Sequence, residues 1–168
     1  RFWGNGEFVA ENEAYGVVLT FAAAGDDLPH PDAEAEKARM RARRADAATS
    51  EQSEDRASQA PRVTIRVSDA DGETLRNFTA AVHQGINRVV WPLRRDGLPP
   101  LPGSDAAPDD DLPQGIEVLP GAYRLTVTLD EVSRSIDARV LADPRLEVSM
   151  ADMEANQAMQ LELQEQRG

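Results

Sequence analysis

The chain has 168 residues, a formal net charge of -12 and no cysteine. The acidic balance argues against nucleic acid as a partner, because phosphate contacts need a basic face. Without cysteine there are no disulfides or thiolate metal sites. No apolar run reaches the roughly 20 residues that span a bilayer, and the length fits one domain with excursions.

The first segment, 1–14, mixes aromatic residues with glycine. We interpret it as a lead-in from a preceding domain of a longer polypeptide. Trp3 is its largest side chain. The next segment, 15–21, is rich in β-branched and aromatic residues and predicts a strand.

The segment 31–60 interrupts this strand pattern. Alanine, glutamate and arginine favour helix in its first half, but Met40 is the only large apolar residue there. We therefore predict a polar, solvated insertion that is partly helical. The basic run 39–44 is more simply a solvated surface than a binding patch, because nearby acidic residues offset its charge.

Strict alternation returns at 62–68, where Val63, Ile65 and Val67 share one face. The pair Asp71-Gly72 favours a tight turn, so 73–79 should return as the partner strand of a hairpin.

The stretch 85–94 predicts the central strand of the core. Gly85 begins it, Trp91 is the largest side chain it carries, and Pro92 ends it because proline donates no backbone hydrogen bond. We expect Trp91 to be buried at the centre of the domain.

The segment 95–114 is rich in proline, glycine and aspartate, and we predict an acidic linker loop. After it, 122–129 alternates cleanly, and the turn at 130–131 leads into a strand over 132–141. On this last strand we expect three side chains to face the core: Ile136, Ala138 and Val140.

The chain changes period at its C-terminal end. Ser149 stands three residues before Asp152, as in a capping box, and predicts a helix over 149–168. This helix could pack on the sheets or support a homo-oligomer.

Six or seven short strands, with no helix between sequential strands, predict an all-β, Ig-like antiparallel sandwich over 15–148. The segments 31–60 and 95–114 are excursions from it. We expect the following residues in its core: Trp91, Tyr123, Leu125, Val127, Ile65 and Val89.

No residue pattern points to catalysis. His30 and His83 have no partner at a diagnostic spacing, and no Gly-x-Ser-x-Gly motif is present. A calcium site is the best chemical hypothesis, although neither acidic cluster completes a calcium-loop pattern. Its candidate ligands are Asp69 and Asp71, or Asp105 with Asp109, Asp110 and Asp111. We assign no catalytic, cofactor-binding or metal-binding residue.

Four stretches together resemble a known family: 12–19, 85–94, 119–127 and 143–145. Their order is similar to the C-terminal region of bacterial sortilin-like (Vps10-type) β-propeller proteins, often described as BNR/Asp-box glycosyl hydrolases. The Ig-like domain of flagellar hook-capping proteins has a related motif order. The resemblance implies an Ig-like or fibronectin-like module behind a propeller, in a secreted or periplasmic protein, with any hydrolytic site in the propeller.

We therefore expect a non-catalytic accessory or interaction domain whose partner is the preceding propeller. Two alternatives remain open. One is a carbohydrate-binding module that contacts glycans through Trp3. The other is a part of the hydrolase that contributes loops to a neighbouring site.

Overall fold

The computed structural model describes residues 13–25, 27–47, 61–99 and 111–166. Within these ranges the chain forms eight strands and two helices, and all strand pairs are antiparallel. The prediction of a mostly β chain is thus confirmed. The elements are β1 (Val17–Ala23), α1 (Ala33–Ala47), β2 (Arg62–Ser68), β3 (Thr74–Ala81), β4 (Gly85–Trp91), β5 (Arg94–Asp96), β6 (Gln114–Glu117), β7 (Gly121–Leu129), β8 (Val132–Val140) and α2 (Met150–Glu165).

The largest sheet has four strands in the order β3-β2-β7-β8. Two hairpins build it, one with a loop over 69–73 that contains Asp71-Gly72 and one with a two-residue turn at Asp130-Glu131. In the first loop the amide of Gly72 donates to the carbonyl of Asp69 at 3.3 Å, so the turn is wider than the tight turn predicted there. Asp130 adopts a positive φ of 50°, which aspartate tolerates better than most residues. The alternation at the start of β2 buries Val63 and every second residue after it, as period-2 patterning requires.

A second sheet pairs β1 with β4, with Val17 opposite Trp91. The Trp91 indole is only 1% exposed and meets the ring of Tyr123 on β7, with centroids 5.2 Å apart in an edge-to-face arrangement. Its indole nitrogen donates to the carbonyl oxygen of Arg94 at 2.9 Å. The core therefore lies where the two sheets meet.

Strand β1 begins two residues later than the sequence predicts. Gly16 has a φ of +133°, and a Cβ there would lie 2.1 Å from the carbonyl oxygen of Trp91. Only glycine fits this approach, so the regular strand begins at Val17.

The segment 95–114 was predicted as a linker loop, and its described ends depart from that prediction. β5 includes the first two residues of the segment, and β6 begins at its last residue. The two strands pair antiparallel as a third small sheet. Residues 100–110 lie outside the described ranges.

Both helices fall where helix was predicted. α1 occupies the first half of the insertion, and residues 48–60 lie outside the described part of the chain. Ser149 caps α2 by accepting a hydrogen bond from the amide of Asp152. Gln157 anchors this helix by donating its amide to the Glu117 carbonyl of β6 at 2.8 Å. Neither described helix has the length and apolar character needed to cross a bilayer.

Strand β8 departs from expectation. Ala138 and Val140 pack against the core as predicted, whereas Ile136 is on the predicted face but is not covered there. Ile136 is paired with Leu125 and so lies on the core side of the sheet, yet it is 57% exposed. Its partner on the adjacent strand, Leu125, is fully buried, so burial on this face falls off between β7 and the edge strand β8.

Candidate interaction surface

The four-stranded sheet has two edges, β3 and β8, and an unpaired edge exposes a row of backbone hydrogen-bonding groups. At the β3 edge, two outward amides are occupied by carboxylates. The amide of Asn77 donates to Asp96 at 3.0 Å. The amide of Thr79 donates to both carboxylate oxygens of Asp111 at 3.0 Å. These bonds close that edge against another strand.

A buried arginine secures the same edge. Arg76 lies on the core side of β3, 6% exposed, with its guanidinium 5.4 Å from the ring of Phe78. It pairs with Asp96 at 3.1 Å and donates to the carbonyls of Leu112 and Pro113. Its Nε has no partner in the described part of the chain. Arg76 thereby fastens both ends of the acidic segment to β3.

Burial raises the pKa of the Asp96 carboxyl above its ordinary value. The amide of Asn77 and the charge of Arg76 act in the opposite direction, and the nearby charge of Asp111 adds to the rise. Burial and the charge of Asp111 together thus outweigh the effects of the Asn77 amide and of Arg76 on this pKa.

The β8 edge is different because no described segment lies beside it. The two-residue turn at 130–131 makes Leu129 and Val132 a hydrogen-bonded pair, and the register to Val140 is unbroken. Bonding to β7 then alternates along β8. The residues whose backbone groups point outward are Ser133, Ser135, Asp137 and Arg139.

Close side-chain pairs on the outer face support this assignment. Thr126 and Ser135 share a hydroxyl hydrogen bond of 2.8 Å, and Arg124 donates to Asp137 at 2.8 Å. Short contacts of this kind are expected at non-hydrogen-bonded pairs, where the side chains are closer. The hydrogen bond and charge of Arg124 lower the pKa of the Asp137 carboxyl.

The core-side face of β8 is also open. Val132 and Ile136 are 58% and 57% exposed, although both lie on the face that buries Leu125 on the adjacent strand. We call this combination of a free edge and an exposed apolar face, residues 132–140, the β8 surface. It offers backbone and apolar groups together, which is what strand addition uses.

The calcium candidates do not converge. One carboxylate oxygen of Asp69 accepts from the amides of Asp71 and Glu73, at 3.0 and 2.9 Å, and so closes the β2–β3 turn. Asp71 is exposed, and Asp111 holds the edge of β3. Asp105, Asp109 and Asp110 lie outside the described residues. Within the described ranges, no cluster of three or more acidic or histidine side chains could hold a metal.

The two histidines take part in local backbone contacts. A ring nitrogen of His30 accepts from the amide of Asp32 at 3.0 Å, and a ring nitrogen of His83 contacts the carbonyl of Gln84 at 2.8 Å. Both contacts organise the chain around a turn or a helix start.

A small polar cavity of about 160 Å³ lies between the four-stranded sheet and α2. Asp69, Arg95, Tyr123 and Gln157 contribute to its lining. Its volume is below the roughly 300 Å³ at which ligand pockets begin. The guanidinium of Arg95 is engaged by Glu73 at 2.7 Å. The β8 surface is a better candidate site than this cavity.

The predicted core residues lie as follows. Trp91, Tyr123, Leu125 and Ile65 are buried, and Val127 and Val89 are partly buried against them. Trp3, the candidate glycan contact, lies outside the described residues.

Sequence reasoning missed the buried Arg76, the edge-closing role of Asp96 and Asp111, and the β8 surface. A signal existed for the acidic pair, since carboxylates in a segment beside a β hairpin can serve its free amides. No local pattern marks the exposure of Ile136, because burial of an edge strand depends on which other parts of the chain pack over it.

Comparison of the chain with protein-family models, with characterised proteins and with solved structures finds no match.

Proposed function

We propose that this chain is a non-catalytic interaction domain that holds a protein partner through the β8 surface. The observation that carries the proposal is the exposure of the Ile136 side chain on the core side of the sheet. It lies beside fully buried Leu125 on one sheet face, yet is 57% exposed beside a free strand edge. Water is a poor environment for that face, and a partner strand or apolar surface would stabilise it.

We further propose an Ig-like or fibronectin-like sandwich as the architecture. In Ig-like domains the strands C′, C, F and G follow one another in one sheet, and B pairs with E in the other. The orders β3-β2-β7-β8 and β1-β4 fit that scheme. The contact between Trp91 and Tyr123 joins the two sheets.

The environment of Tyr123 adds support. Its hydroxyl donates to the carbonyl of Leu119, four residues upstream, near the start of β7. That is the geometry of the tyrosine corner at the start of strand F in Ig-like domains. Burial is the main cause of the raised pKa of this phenol.

The setting we propose follows the motif resemblance: an accessory domain behind a sortilin-like β-propeller, which it presents or dimerises. Repeated Asp-box motifs in the coding sequence upstream of Arg1 would support this setting. Their absence there would contradict the propeller context.

The test of the interaction role is amide exchange of β8 in the intact natural polypeptide. We expect the outward amides of Ser133, Ser135 and Asp137 to exchange more slowly there than in the dilute 168-residue chain. Equal and rapid exchange in both would contradict the proposal. So would saturable oligosaccharide binding by the chain that is lost on Trp3→Ala, which would favour a carbohydrate-binding module.

A further inference from the structure

We infer that β8 pairs antiparallel with β8 of a second copy of this chain, in a register centred on Ala138. The inference rests on the proposed interaction role of the β8 surface and names its partner. The joined strands would form one continuous eight-stranded sheet across a two-fold axis.

The backbone limits the possible registers. A two-fold axis perpendicular to the sheet keeps the core-side faces of both copies on the same side. Because side chains alternate between the two faces, an even-numbered residue of β8 can then lie opposite only an even-numbered residue of the second copy, and an odd-numbered residue only opposite an odd-numbered one. In the register centred on Ala138, Asp137 of each copy lies opposite Arg139 of the other copy. The backbone groups of both residues point outward, toward the second copy. These groups then complete hydrogen-bonded pairs with the second copy.

Charge selects this register. Asp137 lies opposite Arg139 of the second copy, and the symmetry repeats the pair, so two opposite-charge pairs flank the axis. Arg124 already contacts Asp137 from the other side at 2.8 Å, which gives a carboxylate between two guanidinium groups. A register centred on Ile136 would instead place Asp137 and Arg139 opposite serines, with no charge pair.

The core-side face also fits. In the Ala138 register, Ile136 of each copy lies opposite Val140 of the other. The exposed Ile136 side chain thus gains an apolar neighbour that it lacks in the single chain.

An interface made of one strand pair is at the small end of specific interfaces. We therefore expect a concentration-dependent dimer with twice the 18.3 kDa chain mass. Sedimentation velocity across a concentration series measures it.

A single cysteine tests the register, because the chain has no other cysteine. Two copies of Ala138 would face each other as a non-hydrogen-bonded pair with Cα atoms about 4.5 Å apart, a separation that a disulfide accepts. Under mild oxidation, Ala138→Cys should form a disulfide dimer. Ile136→Cys is the matched control. Its two copies would be about 14 Å apart along the strands and should stay reduced.

A charge reversal tests the pairing. Arg139→Asp places like charges opposite Asp137 twice and should raise the dimer dissociation constant by about tenfold. Arg134→Asp makes the same change in charge on the same strand, outside the two flanking pairs, and should leave the constant within about twofold.

Each outcome decides the register. Selective cross-linking of Ala138→Cys, together with weakening by Arg139→Asp alone, supports it. A monomer at all concentrations, equal cross-linking of both cysteine variants, or a dimer lost on Leu163→Glu of α2 but not on Arg139→Asp overturns it. In those cases, slow β8 exchange in the intact polypeptide would keep the proposed interaction role standing, and rapid exchange would remove that role as well.

Discussion

The two edges of the four-stranded sheet face the same physical problem and meet it differently. At β3, the carboxylates of Asp96 and Asp111 occupy outward amides, and buried Arg76 fixes the segments that carry them. At β8, the outward amides have no described partner segment, and the adjacent apolar face is open. Closure at one edge directs any strand pairing to the other edge, which is how natural proteins control association.

The difference also shows that burial along a sheet depends on where a strand lies in it. Val63 and Leu125 on the central strands are fully buried, whereas Ile136 one strand away is exposed. Val63 and Leu125 lie on the two central strands of the sheet, whereas Ile136 lies on an edge strand. Sequence alternation alone cannot distinguish these positions.

The largest expected effect contrasts two residues that face each other across β7 and β8. Leu125→Ala should lower the free energy of unfolding by about 2–5 kcal/mol, because it leaves a cavity in the core. Ile136→Ala should cost less than about 1 kcal/mol, because this side chain is already in water. Urea denaturation of both variants measures the contrast, and equal losses would show that β8 is covered in the free chain.

The next effect concerns the arginine that fastens the closed edge. Arg76→Ala should cost about 3 kcal/mol, because it removes a buried cation and leaves Asp96 poorly paired. The control is Arg134→Ala on β8, an exposed arginine whose loss should stay within about 0.5 kcal/mol. Thermal and urea unfolding both report the difference. A cost for Arg76→Ala no larger than the control would mean that the clamp does not hold the edge.

A smaller effect is expected at the acidic cap. Asp111→Ala removes the acceptor of the Thr79 amide and should cost about 1 kcal/mol, because this half-exposed amide can turn to water instead. Asp137→Ala on the open edge removes only an exposed ion pair and should cost less than Asp111→Ala. Urea denaturation of both variants measures the two costs. A larger loss of unfolding free energy for Asp137→Ala than for Asp111→Ala would contradict the assignment of β3 as the closed edge.

The pH dependence of stability gives a further test of the closed edge. The pKa of Asp96 is raised above 3.8 by burial, so the folded chain binds a proton there more readily than the unfolded chain does. Its contribution to stability is present below pH 3.8 and is lost as the pH rises through the raised pKa. The free energy of unfolding, relative to that of Asp96→Asn, should therefore rise as the pH falls from about 7 to 4. A fall over this range would mean that the charge of Arg76 outweighs burial.

Much of the fold could be predicted from local pattern. The alternation at 62–68, the turn at Asp71-Gly72 and the cap at Ser149 each depend on near neighbours, and each lies where the pattern placed it. The uses of Asp96 and Asp111 depend on contacts 19 and 32 residues away in the chain. Local spacing does not specify contacts over such separations, so the sequence suggests that the acidic pair can serve free amides but not which ones. The β8 surface could not be predicted either, because an open edge depends on which other segments lie beside the strand.

Amide hydrogen exchange by NMR on the dilute chain tests most directly the claim that one sheet edge is closed and the other is open. The account predicts slow exchange at Asn77 and Thr79 on β3, and fast exchange at Ser135 and Asp137 on β8, with global stability as the common reference. Equal protection at both edges, or faster exchange at β3, would contradict it.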